Sequence, residues 1–341
     1  MSDDVTPDAV MKLGLAFWAS KALLSAVELG VFTDLAAQGP ADLPALSGRL
    51  GLHRRGAADF LDALVALGML RRDDAGRYDN TPQTARYLDA ALPDYVGGLL
   101  EMANRRLYPF WGRLTDALRT GEVQNEARDG GANLFETIYA DRDSLDGFLR
   151  AMSGLSRPSS RALAAHFPWA EFRTFADIGC ARGTLLAGIA QAHPHLSAIG
   201  FDLPPVGPVF ESHMAEVGLS DRARFVAGDF FTGPLPQAEV LVMGHILHDW
   251  GLEEKKVLLR KALEALPPGG ALIAYDAMID DGRREHAFGL LMSLNMLIET
   301  RAGFDYTGSD AIAWAREAGF ASARVQPLVG PHSMLVARKE G

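Results

Sequence analysis

The sequence predicts an α/β fold: a parallel sheet in the second half of the chain, preceded by a mainly helical region. Three observations carry this. The runs FRTFADIG, LSAIGFDLP and RARFVAGDFF have strand length and end in aspartates, Asp177, Asp202 and Asp229. A fourth run, AEVLVMGHILHDW, ends in His248. Helical stretches separate several of these runs, and such alternation marks a parallel sheet with crossover helices. Ligands of such sheets sit beyond the carboxyl ends of the strands. The polar residues therefore gather at one edge, where a nucleoside-like ligand would meet a base.

The elements follow in order. Residues 9–38 read as helical, with AFWASKALLSAVELGVFTDLAA carrying a broad apolar face that Gly30 breaks. Residues 41–50 and 54–68 read as two more helices, the second stopping at Gly68. MLRRDDAGRYDNT alternates around Asp74-Ala75-Gly76 and predicts a hairpin. Helix, helix, hairpin is the order of a winged-helix unit.

Residues 83–165 are again helical in pattern, apart from GEVQNEARDGGAN (121–133), which is polar and Gly-rich and predicts an exposed loop. Phe135, Ile138, Tyr139, Phe148 and Met152 resume the helical spacing. The α/β portion begins near residue 166. A helix is expected over 252–265, with Glu253 and Glu254 favouring its N-terminal dipole. Pro267-Pro268-Gly269-Gly270 turns into the strand ALIAYDAMI. Helices over 286–299 and 309–318 precede ARVQPLV and SMLVARK, which read as an antiparallel hairpin at the sheet edge.

The 341 residues suffice for two domains. Hydrophobic residues at 48% and charged residues at 22% are ordinary globular usage, which argues against a disordered chain. No apolar run reaches the roughly 18 residues of a membrane span, and MSDDVTPDAV lacks the apolar core of a secretory signal. Cys180 is the only cysteine, so neither an internal disulfide nor a multi-cysteine metal site is expected. A reducing cytoplasm is the expected compartment. A net charge of −10 disfavours nonspecific binding to nucleic acid or anionic membranes.

The loop Gly179-Cys180-Ala181-Arg182-Gly183 lets backbone approach a ligand closely. Its spacing is Gly-x-x-x-Gly. Ala181 takes the place of the middle glycine of Gly-x-Gly-x-x-Gly, which weighs against a dinucleotide pyrophosphate. The plain alternative is a tight turn with no ligand. Asp202 is placed to accept both hydroxyls of a ribose. Asp229 is placed to accept from an adenine amine, with Phe230 or Phe231 against the ring. A single strand-end aspartate is usually a cap or turn former; three beside a glycine loop are harder to explain that way. No Gly-Lys-Ser/Thr is present, which weighs against a nucleoside triphosphate.

FADIGCARG, FDLP, GDFF and ILHDW, in this order and spacing, resemble the S-adenosylmethionine-dependent O-methyltransferases of the plant caffeate and bacterial natural-product type. The resemblance covers nearly the whole chain. ALLSAVELGVFTDLAA and FLDALVALGMLRRDDAGRYDNT are similar to that family's winged-helix dimerisation domain. It implies a winged-helix dimerisation domain over 1–100 and a helical connector over 101–165 that contributes to the acceptor pocket. Residues 166–341 would form a Rossmann-like class I methyltransferase domain. It also implies a homodimer and S-adenosylmethionine as cofactor, leaving as S-adenosylhomocysteine, with no metal.

Residue by residue, the resemblance places Gly179 and Gly183 at the methionine part of the cofactor and Asp202 at the ribose; Asp177, Leu203 and Gly228 are further cofactor-binding candidates, and the plain alternative for Asp177 is that it only shapes the glycine turn. Asp229 and Phe230 would meet the adenine. Gly244 stands on the cofactor side where plant members carry a lysine, so that contact is missing or replaced. His248 would be the general base, flanked by Asp276 and Asp305 where the family usually has glutamates. Glu299 is near enough in sequence to rival Asp305. Cys180 and Ala181 also depart, standing where glycines are common. Phe148 and Met152 match positions that pack an aromatic acceptor; Trp111, His245, Asp249, Met292, Asn295 and Met296 are further candidates. Methionines and aromatics at helical spacing also serve as plain core, and Asp249 is suitably placed to cap the helix that follows.

Methyl transfer to a phenol is an in-line displacement in which the acceptor's proton must leave. Histidine, with a pKa of ~6.5, accepts protons at neutral pH. A phenol, at about 10 if judged by tyrosine, needs that help. A neighbouring carboxylate fixes the tautomer and stabilises the imidazolium. Dry surroundings favour the charge cancellation between sulfonium and phenolate. The expected acceptor is a small aromatic or polyketide-like molecule. Carbon or nitrogen methylation, or chemistry without methyl transfer, remains open on the same fold. The plain alternative for His248 is a helix-start residue with only a local hydrogen bond. A winged-helix DNA-binding regulator is disfavoured, because the helix opening at Arg54-Arg55 continues with Asp59 and Asp62 and is otherwise apolar.

Overall fold

The computed structural model describes residues 5–128, 138–139 and 141–341. Phe135 and positions 129–133 of the expected loop lie outside the described residues. The chain divides into two compact units, Met1–Pro109 and Phe110–Gly341.

The first unit opens with helices α1 (Asp8–Gly14), α2 (Ala16–Glu28) and α3 (Val31–Gln38). Gly30 takes a φ of +71° between the last two, which explains the break at that residue. Helix α4 (Leu43–Leu50) is capped by Asp42, whose carboxylate accepts from the Ala45 N–H at 2.9 Å, and ends at the left-handed Gly51. Helix α5 (Ala57–Ala66) leads into the expected hairpin, β1 (Leu70–Arg72) paired with β2 (Tyr78–Asn80). Helices α6 (Pro82–Tyr87) and α7 (Gly97–Met102) follow, then a π-helical turn over Ala103–Leu107 and the short α8 (Tyr108–Trp111). Phe32, Leu35, Leu46, Leu61, Leu64, Leu70 and Tyr78 form this unit's core.

Outside that core, Val10, Leu13, Phe17 and Trp18 leave a large apolar surface exposed. The segment Asp8–Glu28 is long and apolar enough to cross a membrane by length and composition. This departs from the expectation of no such stretch: Lys12 and Lys21 interrupt the apolar run without offsetting its average.

The second unit carries α9 (Leu114–Thr120), α10 (Arg142–His166), β3 (Thr174–Ile178), α11 (Thr184–Ala192), β4 (Ser197–Asp202), α12 (Gly207–Glu216) and β5 (Ala223–Ala227). Then come β6 (Val240–Gly244), α13 (Leu252–Ala265), β7 (Ala271–Asp276), α14 (Ala287–Glu299), α15 (Gly308–Ala318), β8 (Ser322–Val329) and β9 (His332–Arg338). The sheet order is β5-β4-β3-β6-β7-β9-β8. The first five strands are parallel; β9 runs antiparallel between β7 and β8. Strand order reverses between β3 and β6, the switch point at which such sheets bind ligands.

Both faces of the sheet are buried, so its central strands are almost continuously apolar. Phe175, Val242, Ile273, Tyr275 and Met334 pack with Leu185, Leu186 and Ile189 of α11 on one face. Ile178, Leu241, Met243, Ala274 and Leu335 pack with Leu258, Leu259 and Ala262 of α13 on the other. Because β9 is antiparallel, its first residues reach the carboxyl edge, where Ser333 pairs with Asp276.

The expectation of an exposed loop over 121–133 is corrected in its described part. Val123, Gln124, Asn125 and Ala127 are buried. The Gln124 N–H donates to the Ile298 carbonyl at 2.9 Å, and Asn125 Nδ2 to the Glu299 carbonyl at 2.7 Å. The last carbonyls of a helix have no partner inside it, so these polar residues serve the end of α14 rather than solvent.

Candidate active site

The turn after β3 is built from left-handed residues. Gly179, Ala181 and Gly183 have φ of +73°, +50° and +82°. A Cβ on Gly179 would sit 2.4 Å from Ile246 Cδ1, and one on Gly183 would sit 2.7 Å from the Phe210 ring. Ala181 adopts a conformation that costs an L-residue energy. Its N–H donates to Asp202 Oδ2 at 2.8 Å, while Asp202 Oδ1 accepts from Leu203 N–H at 2.7 Å. A carboxylate has about four acceptor positions, so Asp202 keeps capacity for two further donors such as ribose hydroxyls. That donor demand fits the nucleoside of S-adenosylmethionine. Burial raises the Asp202 carboxyl to about 6 against the pull of those two backbone bonds.

Asp177 is buried beside this turn, and burial together with the Asp202 charge pushes it up to about 7. Beyond β5, the Gly228 N–H donates to the Asp202 carbonyl at 2.9 Å. Asp229 closes its own turn, with Oδ1 accepting from Phe231 N–H at 2.8 Å. Phe230 and Phe231 pack edge-on against Trp250, with centroids 5.7 and 4.6 Å away. Lys261 Nζ donates to the carbonyls of Phe230, Phe231 and Gly233 at 2.5, 3.1 and 2.6 Å and holds the loop. At Gly244, a Cβ would meet the Tyr275 ring at 2.2 Å. The tyrosine fills the room that a lysine side chain would need there.

His248 lies in a single 3-10 turn between β6 and α13 and is 6% exposed. Its Nδ1 is 3.4 Å from Asp305 Oδ1 and 3.9 Å from Asp276 Oδ1, and its Nε2 is 3.5 Å from Asp249 Oδ1. Among the described residues, these are the carboxylates within 4.0 Å of the ring. Glu299, the rival to Asp305, is buried at the end of α14. Asp276 ends β7, and Asp305 precedes Tyr306, whose hydroxyl donates to Asp276 Oδ2 at 2.5 Å. The Ile279 N–H donates to the Tyr306 carbonyl at 2.9 Å and fixes that loop against the chain leaving β7. Asp249 does not cap α13. The cap position is Gly251, without a side-chain bond, and the Asp249 carboxylate approaches His248 instead.

Burial alone would depress the His248 imidazole. The charges of Asp276, Asp249 and Asp305 overcome it and raise the group to about 10. Burial raises Asp276 to about 7, with His248 opposing and Asp305 adding to the rise. Asp249 is raised to about 6 by burial, with His248 opposing. His248 Nδ1, Asp276 Oδ1 and both Asp305 oxygens are buried without a hydrogen-bond partner. Buried polar atoms are usually paired, so this concentration marks a site rather than plain core.

His245 has a φ of +55°, and its N–H donates to the Tyr275 carbonyl at 3.0 Å. Its ring meets Tyr275 and His332 edge-on, with centroids 5.0 and 4.8 Å away, and lies 5.7 Å from His248. Burial and then the two neighbouring imidazoles hold His245 well below its usual value. Donor atoms of His245, His248 and Asp276 lie within 4.8 Å of one another, a spacing that can hold a metal ion. His332 joins the site because an antiparallel strand beside β7 has to begin at this edge, and the hairpin pattern is the sequence signal for it. Tyr139 carries no site signal in the sequence beyond its helical spacing. It is raised far above a usual phenol by burial and by the charges of Asp202, Cys180 and Asp249, and it packs against Leu145, Leu149 and Val206.

Of the acceptor candidates, Trp111 and Asn295 are brought together: Trp111 Nε1 donates to Asn295 Oδ1 at 2.8 Å. Met292 and Met296 flank Asn295 on α14, half-buried and buried respectively. Phe148 and Met152 lie one turn apart on α10 and are half-buried. Phe148 packs in a small cluster with Leu145, Leu149, Val206 and Ala181, and so lies beside the glycine turn.

Residues 111–321 match the O-methyltransferase domain family, and residues 11–90 match the O-methyltransferase dimerisation domain. The tetracenomycin polyketide synthesis 8-O-methyltransferase TcmO of Streptomyces glaucescens is 46% identical over 333 residues, 98% of this chain and 97% of that protein. The N,N-dimethyltransferase OxyT of Streptomyces rimosus is 40% identical over 272 residues, 80% of this chain and 78% of that protein. The crystal structure of human N-acetylserotonin methyltransferase with S-adenosylmethionine matches with a TM-score of 0.92 at 28% identity, covering 100% of both chains. With its Rossmann-like sheet and its dimerisation domain, this chain belongs to the S-adenosylmethionine-dependent O-methyltransferase family.

Proposed function

We propose that this methyltransferase methylates a phenolic hydroxyl of a small aromatic or polyketide-like molecule, with His248 as the general base. One observation carries the reading: a buried imidazole with Asp305 and Asp276 facing Nδ1 and Asp249 beside Nε2. The two carboxylates favour the tautomer with its proton on Nδ1, which leaves Nε2 to accept the phenolic proton. Bound S-adenosylmethionine supplies a methyl group activated by a sulfonium. The Gly179–Gly183 turn, with Asp177 beneath it, borders its methionine part; Asp202 accepts its ribose hydroxyls, and Asp229 and Phe230 meet its adenine. The carboxylates draw a proton to His248, and a cationic ligand nearby opposes that proton, favouring the neutral imidazole a base requires. Trp111, Phe148, Met152, Met292, Asn295 and Met296 supply the acceptor's surroundings, with residues 101–165 contributing part of them.

The similarity to OxyT favours a second reading, a nitrogen acceptor. A neutral amine attacks before it loses its proton, so it has less use for an imidazole ringed by carboxylates. A DNA-binding role is opposed by the charge on α5. Asp62 there is already engaged with Tyr78 and Arg72 of the hairpin, and Asp59 adds a charge that repels phosphate.

The test is methyl transfer from S-adenosylmethionine to a panel of phenols, catechols, polyketides, amines and carboxylic acids. A phenolic hydroxyl should be the preferred acceptor, and turnover should survive exhaustive chelation. His248→Gln should lower kcat by about 10²–10⁴-fold while S-adenosylhomocysteine affinity is kept. Near-normal turnover in that variant would rule out His248 as the base.

A further inference from the structure

We propose that Lys255 is a positioning residue of this active site: its buried ammonium ties the main chain carrying His248 and Asp249 to the main chain carrying Asp305, and sets a positive charge against the aspartates around His248. The proposal rests on the reading of His248 as the base.

Lys255 is 0% exposed. Lysines are almost never fully buried without partners. On α13 it shares a stripe with Leu258, Leu259 and Ala262, at spacings of three, four and seven, and the rest of that stripe is buried core. Helix packing at this position would be satisfied by an apolar side chain, so the ammonium needs another explanation.

Its contacts supply one. Nζ donates to the Trp250 carbonyl and, at 3.0 Å, to the Phe304 carbonyl. Trp250 directly follows Asp249 in the chain, and Phe304 directly precedes Asp305. Nζ also lies 3.5 Å from the centre of the Phe304 ring and 5.7 Å from that of Tyr306, whose hydroxyl bonds Asp276. Each of these partners borders an aspartate of the cluster or touches one. The tie therefore spans the two loops that set the distance of 3.4 Å between His248 Nδ1 and Asp305.

Burial lowers the Lys255 ammonium to about 8, against the opposing charges of Asp276, Asp305, Asp249 and, on its own helix, Glu254; His248, the Tyr306 phenol, the His245 imidazole 3.9 Å from Asp276 and the His332 imidazole beside it complete the titratable groups of the cluster. Three aspartates face the His248 ring, with the His245 imidazole 5.7 Å away. While protonated, the ammonium lowers the proton affinity of all of them together. Its charge favours the ionised carboxylates and the neutral imidazole that a base requires.

Lys255→Met keeps the length of the side chain and removes its donors and charge. In this variant kcat should fall about tenfold or more, S-adenosylhomocysteine affinity should hold within about twofold, and the acid limb of the kcat/KM profile should move up by about one pH unit. A role limited to helix packing would reduce activity without moving that limb, so an unmoved limb overturns the proposal.

Titration of the His248 ring by NMR, in the S-adenosylhomocysteine complexes of both proteins, needs no acceptor. It should show the same upward shift. Absence of wild-type turnover on every acceptor would count against the proposed function, whereas an unmoved ring titration would count against Lys255. Should the variant not fold, wild-type protein with isotope-labelled lysine decides: one ammonium signal should exchange slowly with solvent and shift as the cluster titrates, and its absence overturns the proposal.

Discussion

His248 Nδ1 stands 3.4 Å from Asp305 Oδ1, near enough for strong attraction and beyond a well-formed hydrogen bond. A carboxylate one methylene longer would close that gap. Asp305→Asn, which removes the charge, should lower kcat by about tenfold or more, in line with the effect of one close charge on an imidazole. Asp305→Glu should stay within about threefold of the wild type or exceed it. Steady-state turnover at saturating cofactor separates the two; an asparagine variant as fast as the wild type would show that the charge is not used.

Asp202, the proposed ribose partner, is tied to the glycine turn, because its carboxylate accepts from Ala181 and Leu203. Hydrogen bonds to charged groups contribute about 1.5–3 kcal/mol each, so losing two ribose contacts through Asp202→Ala should weaken S-adenosylhomocysteine binding about a hundredfold or more. Titration calorimetry measures this directly. An unchanged affinity would remove Asp202 from the cofactor site.

Asp177 tests the electrostatics without touching the proposed base. Its carboxyl rises from 3.8 to about 7, chiefly through burial and then through the Asp202 charge. A carboxyl that holds its proton more tightly when folded adds stability at low pH. That contribution is complete below about 4, fades as pH rises toward 7 and stays lost above it. Asp177→Asn has no such dependence. The Tm of the wild type minus that of the variant should therefore fall between pH 4.5 and pH 7.5, roughly the window bounded by the two pKa values. A difference that does not change with pH would mean that the carboxyl is not raised.

The N-terminal unit should form a homodimer. Leu13 is 80% exposed and Trp18 62% exposed, beside Val10 and Phe17, and exposed apolar surface of this extent marks an interface. The same helices match the dimerisation domain. Light scattering should give twice the 36.8 kDa chain mass, and Leu13→Asp with Trp18→Asp should give the monomer. A wild-type monomer at micromolar concentration would overturn this.

Much of the scaffold was legible before any coordinates. Helix α13 spans Leu252–Ala265 as its periodicity and acidic first turn indicate. The hairpins appear where turn residues interrupt alternating runs. Asp202 closes β4, and Asp229 follows β5 by two residues, because crossover helices between parallel strands direct every strand end to one edge. These features arise within a few residues of chain and follow from backbone geometry.

The partnerships were another matter. The sequence by itself determined an α/β sheet whose carboxyl edge gathers aspartates and a histidine, and its motifs pointed to a methyltransferase. Tertiary structure alone decided that His248 meets Asp305, Asp276 and Asp249 together, that Gln124 and Asn125 serve the end of α14, and that a lysine in a charged-looking run is wholly buried beneath the site. Periodicity reports which face of an element turns inward. Which loops then meet, and at what distance, depends on how the packed layers bring remote segments of chain together, and that is fixed only when the core closes.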